Sequence, residues 1–416
     1  MDDYKNTQNQ KVLKSNLTIL KLFLAIFLIF FFSCKSPTGV GLSGGWEKTF
    51  GGGDRDRGKS VQQTTDGGYI LVGWTKSFGA GGSDVYLIKT DAFGSKEWTK
   101  TFGGSNDDEG HSVQQTSDGG YIITGITKSL GVSGRDVYLI KTDESGNEEW
   151  FKTFGGSTPD IPDCGYSVEQ TLDGGYIITG YTESYGSGAS DVYLIKTDEA
   201  GNEQWYKTFG GADYDVAYSV QQTEDGGYII AGETSSFGEG AIDVYLIKTN
   251  GSGNEEWSKT FGGNDLDGAY SVQQTNEGGY IIAGFTASFA IDYVGIYLIK
   301  LDASGNEDWI KIYAGSDTND TYVGHSVHQT IDGGYIVTGF IDTLGTHIYD
   351  VYLLKTDEDG NEKWSNTFGG SDRDRGLSIQ QTTDRGYIIA GYTESFGAGD
   401  QDVYLLKTDA NGNISE

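Results

Sequence analysis

Seven tryptophans constrain this chain more than any other feature. Trp46, Trp98, Trp150, Trp205, Trp257, Trp309 and Trp364 recur at spacings of 52, 52, 55, 52, 52 and 55 residues, and 52 residues follow the last. Aligned on one another, the segments give a common unit: W-x-K-T-F-G-G, an acidic loop, S-V-Q-Q-T-x-D-G-G-Y-I-I-x-G, a variable loop, then D-V-Y-L-I-K-T-D-x-x-G-N-E-x-W. A period near 50 residues with several strands in each unit is the signature of a propeller. The 416 residues include 65 Gly and only three Pro, with short β-rich runs and no helical periodicity after residue 33, so the class is all-β. At 36% hydrophobic and 13% aromatic, the chain is too apolar and too regular for disorder.

Local chemistry assigns the strands of each unit. Residues 60–64 and 69–75 flank Asp66-Gly67-Gly68, a turn in which Gly accepts positive φ, and they form a tight hairpin. Residues 85–91 and 97–103 form a second hairpin around another Gly-containing turn, making a four-stranded antiparallel meander. Strands reading Val-Tyr-Leu-Ile or Tyr-Ile-Ile lack apolar/polar alternation, so both faces must be buried, as in radially stacked blades. Ser-Val-Gln-Gln-Thr, the most polar strand, suits the innermost position beside a solvated channel, and the Trp strand suits the outermost. The prediction is a seven-bladed β-propeller over residues 46–416, whose seventh blade joins one N-terminal outer strand (residues 46–50) to three C-terminal strands ending at 403–409.

This unit resembles those of a group of poorly characterised bacterial and archaeal secreted proteins and lipoproteins, built from repeats such as DGGYIIAGYT, DVYLIKTD and GNEEW. The likeness covers residues 46–416 and implies fold without implying chemistry. The ring closure is similar to that of WD-repeat propellers, although no Trp-Asp or Gly-His dipeptide marks the blades, and Gly-Gly-Tyr-Ile-Ile-x-Gly distantly resembles kelch repeats.

The amino terminus reads as an address. Lys5, Lys11, Lys14 and Lys21 precede an eleven-residue apolar run over residues 22–32, the layout of a secretory signal. A transmembrane helix needs about 20 apolar residues, so an uncleaved anchor is the weaker reading. Phe31-Phe32-Ser33-Cys34 resembles the lipobox of bacterial lipoproteins, with bulky Phe where smaller residues are commoner. The resemblance implies that residues 1–33 are a lipoprotein signal and Cys34 a lipidated terminus, followed by a flexible tether over residues 34–45. The alternative is an ordinary secretory signal with an incidental cysteine. The expected location is the bacterial envelope, periplasmic or surface-exposed, with membrane contact through the lipid alone.

The net charge of −31 falls to −33 without residues 1–33, which carry two acidic and four basic residues. Such a surface repels nucleic acid and anionic headgroups and favours cations. Alternating acids in the loops before the polar strand, as in Asp54/Asp56, Asp265/Asp267 and Asp372/Asp374, offer hard oxygen ligands for calcium. They lack the remaining residues of an EF-hand loop, and Asp also builds turns by accepting backbone N–H bonds. No other cofactor is indicated. Asp84 and its counterparts at the start of the third strand read as turn formers, and Lys89 and its counterparts as solvated strand ends or as pairs with nearby Asp, worth about 0–1 kcal/mol each.

Catalytic motifs are missing. There is no nucleophile elbow, phosphate loop or HExxH, and His325 and His328, three residues apart, are expected on opposite strand faces. Tyr166, Tyr214, Tyr218, Tyr270, Tyr293, Tyr322 and Tyr349 fall in or beside the variable loops, where they could stack on sugars or meet a protein. The fifth and sixth units depart furthest from the pattern, in residues 289–295, 316–324 and 341–350. These departures nominate Asp292, Tyr293, Asp317, Asp320, Tyr322, His347 and Tyr349 as ligand-binding residues, against simple drift of unconstrained loops. Two functions follow: a non-enzymatic binding or scaffold propeller for a protein or glycan ligand, or a carbohydrate-active protein, either lectin or glycoside hydrolase.

Overall fold

The computed structural model describes residues 44–132, 134–158, 161–290, 294–315, 320–342, 345–346 and 348–414. The proposed signal, Cys34 and nearly all of the tether lie outside them. The described residues form 28 strands, β1 to β28 in chain order, in seven antiparallel sheets of four. In the first blade these are β2 (Asp56–Gln63), β3 (Tyr69–Thr75), β4 (Asp84–Thr90) and β5 (Lys96–Phe102), running from the axis outward. The inner strand starts four residues earlier than its polar core suggests, because Asp56 to Gly58 also pair with β3, with Lys59 as the bulged residue between them and Ser60. The seventh sheet has the order β1 (Trp46–Phe50), β28 (Asp402–Thr408), β27 (Tyr387–Thr393), β26 (Asp374–Gln381), so the two ends of the propeller share one blade.

The two middle strands are buried throughout, as the absence of alternation requires. Their side chains make one apolar cluster per blade interface: Ile70, Val72, Val85 and Leu87 of the first blade meet Val113, Tyr121, Ile123 and Ile140 of the second. Each outer-strand tryptophan packs on the next blade, as with Trp98 at 6.0 Å from Tyr121. A core with seven interfaces of this kind holds a ring together without a disulfide or long-range crossover.

The inner strands are polar for a reason beyond facing the channel. The Ser60 hydroxyl accepts the Val113 N–H (3.4 Å), and the bond recurs between neighbours until Ser378 accepts the Val61 N–H (3.2 Å). Gln62 Oε1 accepts the Gln115 N–H at 2.6 Å, and Glu169 does the same for Gln222. The next glutamine bonds backward, Gln115 Oε1 accepting the Thr65 N–H. Ser-Val-Gln-Gln is thus the inter-blade fastening, and its repetition follows from satisfying exposed strand edges.

Two glycines explain their places in the unit. Gly67 turns the hairpin at φ +87. Gly73 lies opposite the bulge, where a Cβ would stand 1.8 Å from the Arg57 carbonyl oxygen. Lys89 is not a solvated end. Only 3% exposed, its ammonium donates to the Thr90 carbonyl and pairs with Asp66 and Glu97 at 2.9 and 3.2 Å. The D-G-G turn of the same blade supplies the charge it needs, and losing one partner would strand a buried ion. Asp84 Oδ2 accepts the Ala80 N–H, as a turn former should.

Candidate functional site

Each inner strand carries a bulge one residue before its serine. The extra residue turns inward, and the seven of them, Lys59, His111, Tyr166, Tyr218, Tyr270, His325 and Leu377, line a funnel of about 240 Å³ on the axis. It lies toward the face that carries the acidic and variable loops. Further along the same strands the channel is lined by Gln62, Gln114, Glu169, Gln221, Gln273, His328 and Gln380 with their neighbouring apolar residues.

The funnel is not symmetric. On one side five rings follow one another around the wall: His111–Tyr166 at 5.1 Å, Tyr166–Tyr218 at 5.2 Å, Tyr218–Tyr270 at 5.1 Å and Tyr270–His325 at 4.8 Å. The two end pairs are the nearest to parallel, at 23° and 31° between ring planes, whereas Tyr166–Tyr218 is tilted at 45° and Tyr218–Tyr270 meets edge-on at 65°. On the other side, where the seventh blade meets the first, Lys59 lines the funnel, and Arg57 and Arg375, two residues before the bulge on their inner strands, lie close enough for their charges to act on it. Arg57 lies 4.4 Å from the Tyr392 ring and 5.4 Å from Trp74, and its Nε donates to Gln401 Oε1 at 2.6 Å. Arg375 lies 4.2 Å from Phe340 and 4.4 Å from Tyr349.

Burial sets the ionisation of the wall. It pushes the Glu233 carboxyl up to about 7 against an opposing 3.4 Å bond from the Tyr218 hydroxyl. Glu109 is also raised by burial, but the hydrogen bond and charge of His111 outweigh this and leave it below its usual value. Desolvation, then the charges of Arg375 and Lys59, drives His325 down to about 3, so it is neutral at physiological pH. Lys59 is lowered by burial first and by Arg57 next.

The sequence-nominated residues are only partly brought together. Asp292, Tyr293, Asp317 and His347 lie outside the described residues. Asp320 is buried in the loop before the sixth inner strand. Tyr322 packs edge-on against Tyr352, 5.3 Å away, beside the core. Tyr349 packs on Arg375 and Phe340, 4.4 and 5.0 Å away, and does not line the funnel. Tyr166, Tyr218 and Tyr270 are inner-strand residues and not loop residues, and among those singled out that are described Tyr214 is the exposed one. His325 and His328 both face the axis, because the bulge at His325 cancels the alternation on which opposite faces were expected.

The alternating acids are separated by depth. Asp56, Asp267 and Asp374 are fully buried, and each accepts a glycine N–H and a serine hydroxyl: Gly52 and Ser77 bond Asp56 at 2.8 and 2.7 Å. Asp54, Asp265 and Asp372 sit exposed in the loop, with their N–H groups on the same serines. These are loop clasps, and among the described residues no three His, Cys, Asp or Glu are grouped to hold a metal ion.

Sequence reasoning missed Arg57, Lys59, Arg375 and Glu233. The available signal was the position before the constant serine, which reads Lys, His, Tyr, Tyr, Tyr, His, Leu through the units.

No protein-family model matches the sequence, and no curated protein does. Among solved structures the chain is similar to a puromycin hydrolase, at TM-score 0.55 and 10% identity over 86% of this chain and 53% of that one. It is also similar to the WD40 domain of Neurospora crassa Pan2, at TM-score 0.51 and 10% identity over 86% and 91%. A protein of unknown function from Dyadobacter fermentans matches at TM-score 0.46 and 11% identity over 88% and 99%. At such identities the first two establish the propeller fold, distantly similar to WD-repeat propellers, and nothing about activity.

Proposed function

We propose that the protein is a non-enzymatic binding propeller of the bacterial envelope, anchored by lipid on Cys34, which takes the end of a protein or glycan ligand into its axial funnel. One observation carries this reading. Along a strand repeated seven times, the serine and glutamine positions that fasten blade to blade hardly vary, whereas the bulge position facing the funnel changes from Lys through His and Tyr to Leu. Recognition needs an asymmetric set of groups, and this is where the repeat supplies one. The fold is compatible with such a role, and the leader and Cys34 motivate the location.

The test is a glycan array and an envelope-protein pull-down with wild type and Tyr218→Ala. Specific capture that the variant loses while keeping its melting temperature supports the funnel. Capture that the variant retains moves the site elsewhere.

A second reading has one observation in its favour. Glu233, raised to about 7 and so keeping part of its proton at neutral pH, and Glu109, lowered below its usual value, are carboxyls whose environments push them apart, as acid and base partners require. Release of reducing ends from a polysaccharide, abolished by Glu233→Gln, would replace binding with hydrolysis.

A further inference from the structure

We propose that the funnel sector where the seventh blade meets the first is an oxyanion subsite, in which Arg57, Lys59 and Arg375 receive a carboxylate or phosphate at the end of the ligand. The inference rests on the reading of the funnel as the binding site and specifies what enters it.

The chain carries 60 acidic residues against 29 Lys and Arg, so cations should find partners easily. Most buried ones do: Lys141, Lys196, Lys248, Lys355 and Lys407 each have an aspartate within about 3 Å. Arg57, Lys59 and Arg375 differ. They converge from two adjacent inner strands, and among the described residues no carboxylate forms a salt bridge with any of them. The nearest acids are engaged elsewhere, Glu109 with His111 at 3.7 Å and Glu394 with Gln401 at 2.6 Å.

Their geometry is prepared for a ligand. Arg57 is fixed through Nε and an aromatic contact, which leaves its two amino groups without a protein acceptor among the described residues. Arg375 is held by Phe340 and Tyr349, and its buried Nε has no hydrogen-bond partner. Nε2 of His325, on the same wall, is likewise buried without one. Burial first, then the neighbouring Arg57 and, more weakly, Arg375, disfavour the charge on Lys59. A bound oxyanion would offset this, and guanidinium groups match carboxylate and phosphate oxygens two at a time.

The remaining wall limits the rest of the ligand. It is built from Tyr166, Tyr218, Tyr270 and Leu377 and offers ring and apolar surface to the uncharged part of a terminal group. At about 240 Å³ the funnel is smaller than the roughly 300–1,000 Å³ of sites that enclose whole small molecules. It therefore takes one terminal group, with the remainder outside.

The probes are sodium glucuronate and inorganic phosphate, with glucose as the neutral control, titrated calorimetrically into the mature chain. Saturable binding of either anion and none of glucose is expected, weakened about tenfold or more in Lys59→Gln/Arg375→Gln. Arg375→Lys, which keeps the charge and loses the fork, should fall between and guards against a misfolded double variant. Glucuronate preferred over phosphate assigns an acidic glycan end, and the reverse a phosphorylated one. Binding of neither anion, equal binding of glucose, or an unchanged double variant overturns the subsite. If in that case Tyr218→Ala still abolishes capture of the array or pull-down ligand, the funnel reading survives and the subsite alone fails.

Discussion

The Tyr404 hydroxyl donates to the Glu47 carboxylate at 2.6 Å, joining the last strand of the propeller to the first. Around that bond Trp46 to Phe50 pair with Lys407 to Val403, and Trp46 reaches across to Tyr69 of the first blade at 5.9 Å. Deleting residues 44–51 strips the seventh blade of its outer strand, opens the edge of β28 and removes the Trp46 contact. Truncating a fully buried Trp costs roughly 3–5 kcal/mol, so the partly buried Trp46 contributes less than that, and an open edge invites pairing between molecules. The melting temperature should drop and light scattering rise. Tyr404→Phe, which removes only the hydroxyl, should cost about 1 kcal/mol. A truncated chain that melts like the full one would show that this blade is dispensable.

Arg385 is the only non-glycine residue with positive φ among those described, at +71, in the turn where six other blades place Gly. A side chain in that conformation costs about 1–2 kcal/mol. Arg385→Gly should therefore stabilise the protein by about 1 kcal/mol, after the greater unfolded-state freedom of Gly is subtracted. Urea denaturation reads the change, and a loss of stability would mean that Arg385 makes contacts worth more than the strain.

Tryptophan spacing, unbroken apolar strands and the D-G-G turn report local and repeated physics, so blade number, strand order and hairpins are legible in residues such as Trp98, Tyr69 and Gly67. The funnel is hidden by a single backbone event. A bulge at Lys59 or His325 breaks the period of two on which side-chain direction is inferred, and it moves Tyr166, Tyr218 and Tyr270 from apparent loop ends to the axis. The convergence of Arg57 with Arg375 is likewise tertiary, since 318 residues separate them and only ring closure brings them together. Loop divergence points instead to the fifth and sixth blades, and of the residues it nominates Tyr349 touches Arg375 beside the funnel.

Cys164 is 3% exposed, and burial pushes its thiol up to about 11 against an opposing hydrogen bond with Tyr181. The thiolate is the reactive form, so the folded chain should not label at Cys164 with a thiol reagent. This makes lipidation countable, because Cys34 is the other cysteine. Protein extracted from membranes should show no reactive thiol when folded and one when denatured. One and two, respectively, would mean that Cys34 is free.

Glu169 gives the channel a pH dependence that can be isolated. It occupies the place filled by Gln62, Gln114, Gln221, Gln273 and Gln380, and burial raises it from 4.5 to about 7 although the Gln222 N–H bond works to lower it. A carboxyl with a raised folded-state pKa keeps its proton longer in the native state than in the unfolded chain. Its contribution to stability is thus complete below about pH 4.5 and is lost as pH rises through 7. At 1.36 kcal/mol per unit the loss is roughly 1–3 kcal/mol by about pH 8. Glu169→Gln keeps the oxygen that accepts the Gln222 N–H and cannot ionise, so it should exceed wild type at pH 8 and approach it near pH 5. His325 and His328, both lowered, act in the opposite sense, with stability rising up to about pH 6.5 and level above it, but they are common to both proteins and cancel in the difference. Aspartates held low by their lysines, such as Asp118 at about 2, lose their contribution only at more acid pH. Urea unfolding of the two proteins across this range measures the difference, and a gap that does not grow between pH 5 and 8 would show that Glu169 ionises in the native channel without penalty.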